Sequence, residues 1–312
     1  MILVTGGTGF VGRALVRHLV DGGYETRLLI RPSQKSPELP RGVPLEVAVS
    51  SLTDERGLRS AMVGVKVIYH LAGSEQRGGR SDLMAVDIQG TQAVAQVAAA
   101  AGVERIFYLS HLGADRASAF PVLKAKAIAE EHIRRSGVDY TILRSALLYG
   151  QEDHFTIGLA RLLAAAPFIF LVPQDGRMLI QPLWVEDLVT CLVWAMHDET
   201  TRQQTYAIGG PEYLSFNQVL EMVMEASGVR RTPVHVGLPY MRILTPILEA
   251  FFPGLPVSTY WLDYLAVNRT CALDTMVRSF NLMPSRFHQS IAYLGSQDWR
   301  KGLTRSLFRR GK

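Results

Sequence analysis

The sequence predicts an α/β fold, a doubly wound parallel sheet with a smaller, mainly helical C-terminal lobe. Three observations lead there. Short β-rich runs alternate with helical patterns through the first half of the 312 residues, the signature of βαβ units and a parallel sheet. A glycine-rich turn joins the first strand to the first helix. After about Gly150 the alternation gives way to mostly helical segments.

The strands fall at 2–5, 25–30, 45–49, 67–71, 105–110 and 140–144, each rich in β-formers. Amphipathic or Ala-rich helical patterns at 11–20, 54–62, 84–101 and 123–136 lie between them. Beyond Gly150, isolated strands are expected near 168–172, 205–208 and 233–236. Gly209-Gly210-Pro211 reads as a turn, and Ser215 as the N-cap of a helix over 216–226. A helix over 184–197 carries Glu186 and Asp187 in its first turn, where carboxylates suit the helix dipole. It reads as a packing element. The stretch 240–265 is rich in Leu, Ile, Phe, Trp and Tyr and interrupted by prolines, which fits core helices or an apolar surface for a partner or membrane. No Gly/Ser-rich linker parts the halves. The expected organisation is a first domain over 1–150, a smaller lobe over 151–294 packed on it across a cleft, and a tail over 295–312.

Residues 4–12 read Val-Thr-Gly-Gly-Thr-Gly-Phe-Val-Gly, with glycines at 6, 9 and 12 directly after a strand and before a helix. Gly6 permits a tight turn, Gly9 lets the backbone approach a pyrophosphate, and Gly12 lets the helix pack close to the strand. Thr8, Phe10 and Val11 complete the loop and the first turn, whose N–H groups and dipole face the phosphates. In this βαβ setting the pattern predicts a Rossmann-type domain that binds a nicotinamide dinucleotide. The second strand ends Leu28-Leu-Ile-Arg31, without an acidic residue for a ribose 2′-hydroxyl. Arg31 and Arg13 instead suit a 2′-phosphate through bidentate, charge-assisted bonds. NADP(H) is favoured, and NAD(H) stays open should both arginines be solvated surface residues.

Composition is ordinary for a soluble globular chain. Cys191 and Cys271 show no C-x-x-C spacing and read as two buried thiols. No run reaches the ~18–20 apolar residues of a membrane span. Met1 leads directly into the first motif, so a cytoplasmic location is expected. The net charge of +5 is concentrated in 295–312, where Arg300, Lys301, Arg305, Arg309, Arg310 and Lys312 stand against Asp298. Charge confined to one tail points to a docking surface and away from a nucleic-acid groove. Trp299, Leu303 and Leu307 recur every four residues beside Phe308, the pattern of a basic amphipathic helix on an anionic membrane face or on a partner. A solvated tail is the other reading. Asp153 and His154 are adjacent, but two neighbours cannot close a metal site alone, and no metal is expected.

These residues resemble the short-chain dehydrogenase/reductase superfamily in its extended and atypical branches. They are most similar to the NAD(P)H-binding accessory subunit of respiratory complex I and its bacterial homologues. The likeness runs from the glycine loop through His70-Leu-Ala-Gly73, 86–91, 126–130, Leu143-Arg-Ser145, Tyr149-Gly150, 184–188, 205–211 and 261–287. It implies that Leu71, Ala72 and Gly73 line the adenosine side and that Ser51 and Leu52 sit by the adenine, Ser51 standing where the family often has Asp. The segment after Arg144 would border the nicotinamide.

Active members of that superfamily carry a Tyr four residues before a Lys on the helix after the fifth strand, one helix face presenting both. Here Lys126 is preceded at that spacing by Val122, and Lys124 by Phe120. The dyad is absent. Ser110 ends the fifth strand, with the family's serine aligning nearer His111. His111 could hydrogen-bond a substrate or act as an acid, or be a strand-end histidine without chemical role. Ser110, His111 and Lys126 remain the candidate catalytic residues, and Ser110 and Lys126 also border the cofactor. Two function classes follow. One is a nucleotide-bound accessory or assembly subunit of a membrane electron-transfer complex, docked at a membrane surface or protein complex by the basic tail. The other is an active NADP-dependent oxidoreductase or epimerase on a small or sugar-like substrate; a redox-sensing regulator fits the same residues.

Overall fold

The computed structural model describes residues 1–33, 44–74, 81–251, 256 and 258–299. β1 (Ile2–Thr5) leads into α1 (Phe10–Asp21), then β2 (Thr26–Ile30), β3 (Glu46–Val49), α2 (Glu55–Ala61) and β4 (Val67–His70). A π-helical turn (Leu83–Gln89) opens α3 (Gly90–Ala100), and β5 (Arg105–His111), α4 (Pro121–Arg134) and β6 (Asp139–Ser145) follow. Each expected strand and helix of this half is present within a few residues. The π turn was not foreseen; Asp82 caps it, accepting from Ala85 N at 2.9 Å.

The second half contains β7 (Leu148–Tyr149), α5 (Thr156–Ala165), β8 (Ile169–Pro173), β9 (Leu179–Ile180), β10 (Leu183–Trp184), α6 (Val185–His197), β11 (Gln204–Ile208), β12 (Leu214–Ser215), α7 (Phe216–Ser227) and β13 (Thr232–Val236). Helices α8 (Leu238–Phe251), α9 (Thr259–Tyr264), α10 (Thr275–Phe280) and α11 (Phe287–Ser290) complete the described chain. Ser215 caps α7 in a full capping box with Gln218.

The large sheet has the order β11-β6-β5-β4-β1-β2-β3, and every pairing in it is parallel. It thus gains a seventh strand from beyond Gly150. Residues 205–208, expected as an isolated strand, pair with β6 from Thr205↔Ile142 to Ile208↔Ser145. Short apolar runs do not show their partner, and this one finds the free edge of β6. Helix α6, which leads into it, packs on α1: Leu188, Val189, Cys191 and Leu192 join Leu15 and Leu19 in one core. The opposite face is covered by α2, α3 and α4 around Leu58, Val94, Ala98 and Ile133. Cys191 lies fully inside the first core; Cys271, expected to be buried, is only half-buried.

The second lobe has its own core of Phe155, Leu159, Leu163, Phe170, Phe216, Leu220, Phe287 and Leu294. Trp299 belongs to it, 6% exposed and donating Nε1–H to the Leu294 carbonyl at 2.9 Å. It was expected on the apolar face of a docking tail, but that expectation ends at residue 299, because burying the indole against Leu294 removes more apolar area from water than a surface site would. Residues 300–312, with the rest of the expected amphipathic pattern, lie outside the described residues. Among the described residues no helix is long and apolar enough to cross a membrane.

Candidate functional site: a dinucleotide groove with diverted catalytic positions

The glycine loop lies at the C-terminal end of β1, where its neighbours in the sheet leave a crevice. Gly6 sits at φ +72°, and a Cβ there would lie 2.7 Å from the backbone of Leu71 and Ala72. A Cβ on Gly12 would lie 2.2 Å from the Gly6 carbonyl oxygen and 2.6 Å from the Gly7 Cα. Both contacts are with backbone, so neither position admits a side chain. Gly9 is the N-cap of α1 and offers no side-chain cap of its own. The cradle fits a pyrophosphate: bare backbone, a tight turn and an open helix N-terminus.

Two connected cavities flank the loop. The first, about 320 Å³, is bounded by Gly6, Thr8, Gly9, Arg31, Ser51, Leu52, Leu71, Ala72 and Gly73. This brings the expected adenosine-side residues together, and no carboxylate stands among its described lining. The second, about 370 Å³, is bounded by Phe10, Val11, Gly12, Ser110, His111, Lys126 and the 145–148 segment. Gly6, Gly9, Leu71, Gly73 and Ser74 border both, giving one groove across the pyrophosphate cradle.

Arg13 is placed differently from Arg31. Its guanidinium reaches Glu152 at 2.7 Å and donates to the Thr8 carbonyl at 2.6 Å, and it lines neither cavity. Arg31 is exposed at the mouth of the adenosine-side cavity.

Behind the groove stands a histidine that sequence reading placed only within a motif. His70 is fully buried; its Nδ1 meets the Thr5 hydroxyl at 2.7 Å and its Nε2 the Thr91 hydroxyl at 2.9 Å. Burial, and then the nearby Lys126 ammonium, push its pKa down to about 3, so the ring is neutral. Thr5 Oγ1 in turn accepts from Ala72 N at 3.3 Å. One neutral ring thereby fixes, through Thr5, the Leu71–Gly73 backbone that lines the groove.

Of the three candidate catalytic side chains, Lys126 and Ser110 are engaged with buried carboxylates, and His111 borders the groove. Lys126 is the inward-facing lysine of α4, 3% exposed, whereas Lys124 points to solvent. Its Nζ lies 3.3 Å from Asp87 Oδ1, on the π-helical turn, and Asp87 Oδ2 accepts from Ser74 N at 3.1 Å and Ser74 Oγ at 2.7 Å. Ser110 donates its hydroxyl to Glu130 at 2.6 Å. Glu130 is fully buried and also accepts from Arg144 at 2.7 and 2.9 Å and from Arg134 at 2.7 Å. His111 borders the groove and a small adjoining cavity shared with Val122, Tyr260, Tyr264 and Arg269, its ring 6.3 Å from that of Tyr260. Val122 packs against the second lobe's core.

The end of the groove expected to border the nicotinamide, by the 145–148 segment, is closed by Tyr260, Trp261 and Tyr264 of α9, from the stretch expected to form core helices or an apolar surface, with His154 and Phe155. Arg269 holds this corner, its guanidinium 4.6 Å over the Tyr264 ring and donating to the carbonyls of Leu112, Asp263 and Tyr264. The aromatic density of 240–265 was the available signal, but it does not say which rings face a ligand. Asp153 is consumed by its own loop, accepting from Gly150 N, Ile157 N and the Thr156 hydroxyl.

The family model described as NAD(P)H-binding matches residues 6–161. A subunit named NADH dehydrogenase [ubiquinone] 1 alpha subcomplex subunit 9, mitochondrial, from Arabidopsis thaliana is 28% identical over 246 residues, 76% of this chain and 60% of that protein. A ceramide reductase from Caulobacter vibrioides is 32% identical over 193 residues, 62% of this chain and 60% of its own length. The matches therefore span about three-fifths of these relatives. The Thermus thermophilus UDP-glucose 4-epimerase complex with NAD superposes with a TM-score of 0.71 at 20% identity, covering 95% of this chain and 97% of that one, which establishes the shared fold. The chain belongs to the NAD(P)H-binding family, as an atypical short-chain dehydrogenase/reductase related to the alpha subcomplex subunit 9 of complex I.

Proposed function

We propose that the protein holds NADP(H) as a resident group and acts as an accessory or assembly subunit of a membrane electron-transfer complex. The observation that carries this is the state of the catalytic positions. The tyrosine position is Val122, Lys126 is paired with buried Asp87, and Ser110 is bonded to buried Glu130. A bound nicotinamide supplies a hydride, but reduction of a carbonyl also requires a proton at the oxygen, and the residues that deliver it elsewhere in the superfamily are absent or diverted. The groove then binds and orients the dinucleotide while His70 fixes its wall. That no carboxylate stands among the described residues lining the cavity at Arg31 supports NADP(H) over NAD(H). The likeness to a complex I subunit supports the setting, with a peripheral position on the cytoplasmic membrane face.

The test is isolation of the full chain from its native membranes. Co-purification with a large complex, carrying NADP(H) that no carbonyl compound oxidises, is the expected result. A partner-free chain that turns over NADPH would overturn it.

One observation favours turnover as a second reading. The Tyr264 hydroxyl is buried in the nicotinamide end with no hydrogen-bond partner among the described residues. Burial drives its pKa above the usual phenol range, so it stays protonated and can donate. If the chain reduces any carbonyl, Tyr264→Phe would cut the rate by ~10²-fold or more; an unchanged rate would remove Tyr264 from the chemistry.

A further inference from the structure

A third cavity, of about 300 Å³, lies wholly within the second lobe between α5, β8, α8 and α9. Its size reaches the lower bound of small-molecule sites, about 300–1,000 Å³. The walls are almost entirely hydrocarbon: Leu159 and Leu162 from α5, Phe170 from β8, and Met241, Leu244 and Leu248 from the inner side of α8. Thr245 and Ser258 contribute the few hydroxyls, and the Ser258 oxygen is buried without a partner among the described residues. A core of this density would ordinarily fill such a space with side chains. Gly158 lets Pro256 close the cavity against α5, since a Cβ there would come within 3.2 Å of Pro256.

The cavity is not isolated from the dinucleotide groove. His154, Phe155 and Trp261 line both. A molecule seated in it with one end at these three side chains would have that end beside the groove and the remainder among aliphatic side chains. The outer side of α8 exposes Tyr240, Ile243 and Ile247, and Phe168 and Ile169 are exposed at the start of β8. Apolar exposure on the same elements that wall the cavity gives a bilayer-derived chain a surface to leave from.

We infer that this cavity binds the tail of a membrane amphiphile, a single long acyl or isoprenoid chain, with its polar head directed into the nicotinamide end of the groove. Only the direction of the head rests on the dinucleotide reading given above. The tail site stands on the cavity itself.

The test uses the full chain, loaded with NADPH, and a series of straight-chain fatty acids from octanoate to palmitate brominated beside the carboxylate. Bromine quenches a nearby indole, and Trp261 stands at the junction. Affinity should rise about fourfold per added methylene and then level off once the cavity is full. Quenching should vanish in Trp261→Phe, while displacement of a fluorescent polyene fatty acid shows that binding persists. Leu248→Trp, which narrows the cavity, should weaken binding by at least tenfold with NADPH binding retained. Affinity that climbs without levelling, or that is the same in Leu248→Trp, would mean adsorption to the surface and overturn the proposal. If Leu248→Trp fails to fold, the length series in the unmodified chain decides. Tail binding in a chain that takes up no NADPH would sink the dinucleotide reading and leave the tail site standing; NADPH binding without any alkyl binding does the reverse.

Discussion

At position 122 a valine lies one helical turn before Lys126, and this single exchange removes the phenol that the superfamily uses as its acid. The neighbouring groups show that it was not an isolated loss. Lys126 has Asp87 at 3.3 Å and Ser110 has Glu130 at 2.6 Å. Restoring the phenol therefore restores one group of three. Were the tyrosine the sole deficit, Val122→Tyr would recover ~10²–10⁴-fold in carbonyl-dependent NADPH oxidation. With the lysine and serine engaged in buried pairs, the expected gain is under roughly tenfold, read from single-turnover NADPH absorbance. Arg31 offers a separate test at the same scale. Among the described residues it is the basic side chain that borders the adenosine-side cavity, whereas Arg13 is committed to Glu152 and the Thr8 carbonyl. Loss of a charge-assisted contact costs about 1.5–3 kcal/mol. Arg31→Ala should thus weaken NADPH by roughly 10- to 100-fold and leave NADH unchanged in a fluorescence titration. Equal weakening of both would assign Arg31 to the backbone phosphates and return the 2′-position to Arg13.

Among the elements, the meeting of β1, β4 and α3 at His70 has a thermodynamic consequence. The ring is held between the hydroxyls of Thr5 and Thr91, with the Lys126 ammonium facing it, and its pKa is lowered to about 3 against about 6.5 when unfolded. A depressed histidine pKa means that the unfolded chain binds a proton first. Stability is therefore intact above about pH 6.5 and falls as the pH drops towards 3. Between pH 7 and pH 5 this one group should remove about 2 kcal/mol. Asp153 and Asp187, whose pKa values are raised by burial, act in the opposite sense, gaining stability on acidification. The informative measurement is a difference: the pH slope of urea unfolding in the native chain minus that in His70→Gln, with the variant flatter. Identical slopes would show that the ring is already accessible to protons in the fold. His70 also marks how far the sequence could be read. The glycine loop, the strand–helix alternation and the missing dyad are local patterns, and the fold repeats each of them within a few residues. What the sequence could not show are partnerships across distance: that 204–208 joins the edge of β6, that Asp87 reaches Lys126 from a π turn, and that the α9 aromatics close the groove. Nothing in local spacing encodes which side chain a residue 40 or 150 positions away will meet.

At the scale of the whole molecule, the six basic residues of the C-terminal stretch all come after Trp299, the last described residue. The described chain is tied down as far as Trp299, whose indole is buried in the second lobe and bonded to Leu294. Asp187 of α6 accepts from Ser285 N at 2.7 Å, so the C-terminal segment is also anchored to the helix that packs on α1. Cutting at residue 295, where composition alone would place the boundary, would strip an aromatic side chain from the core and cost about 3–5 kcal/mol. A chain ending at Trp299 loses all six basic residues of the C-terminal stretch and keeps the core intact. It should melt at a temperature within a few degrees of the full chain and bind NADPH equally well. Its affinity for vesicles containing anionic lipid should fall sharply, since each basic residue near such a surface contributes about 1 kcal/mol. That loss should shrink as salt rises, because screening removes the same attraction in the full chain. Sedimentation with phosphatidylserine vesicles at low and high salt reads both effects at once. If the shortened chain still sediments at every salt concentration, association runs through the exposed apolar side of α8 and not through the basic terminus.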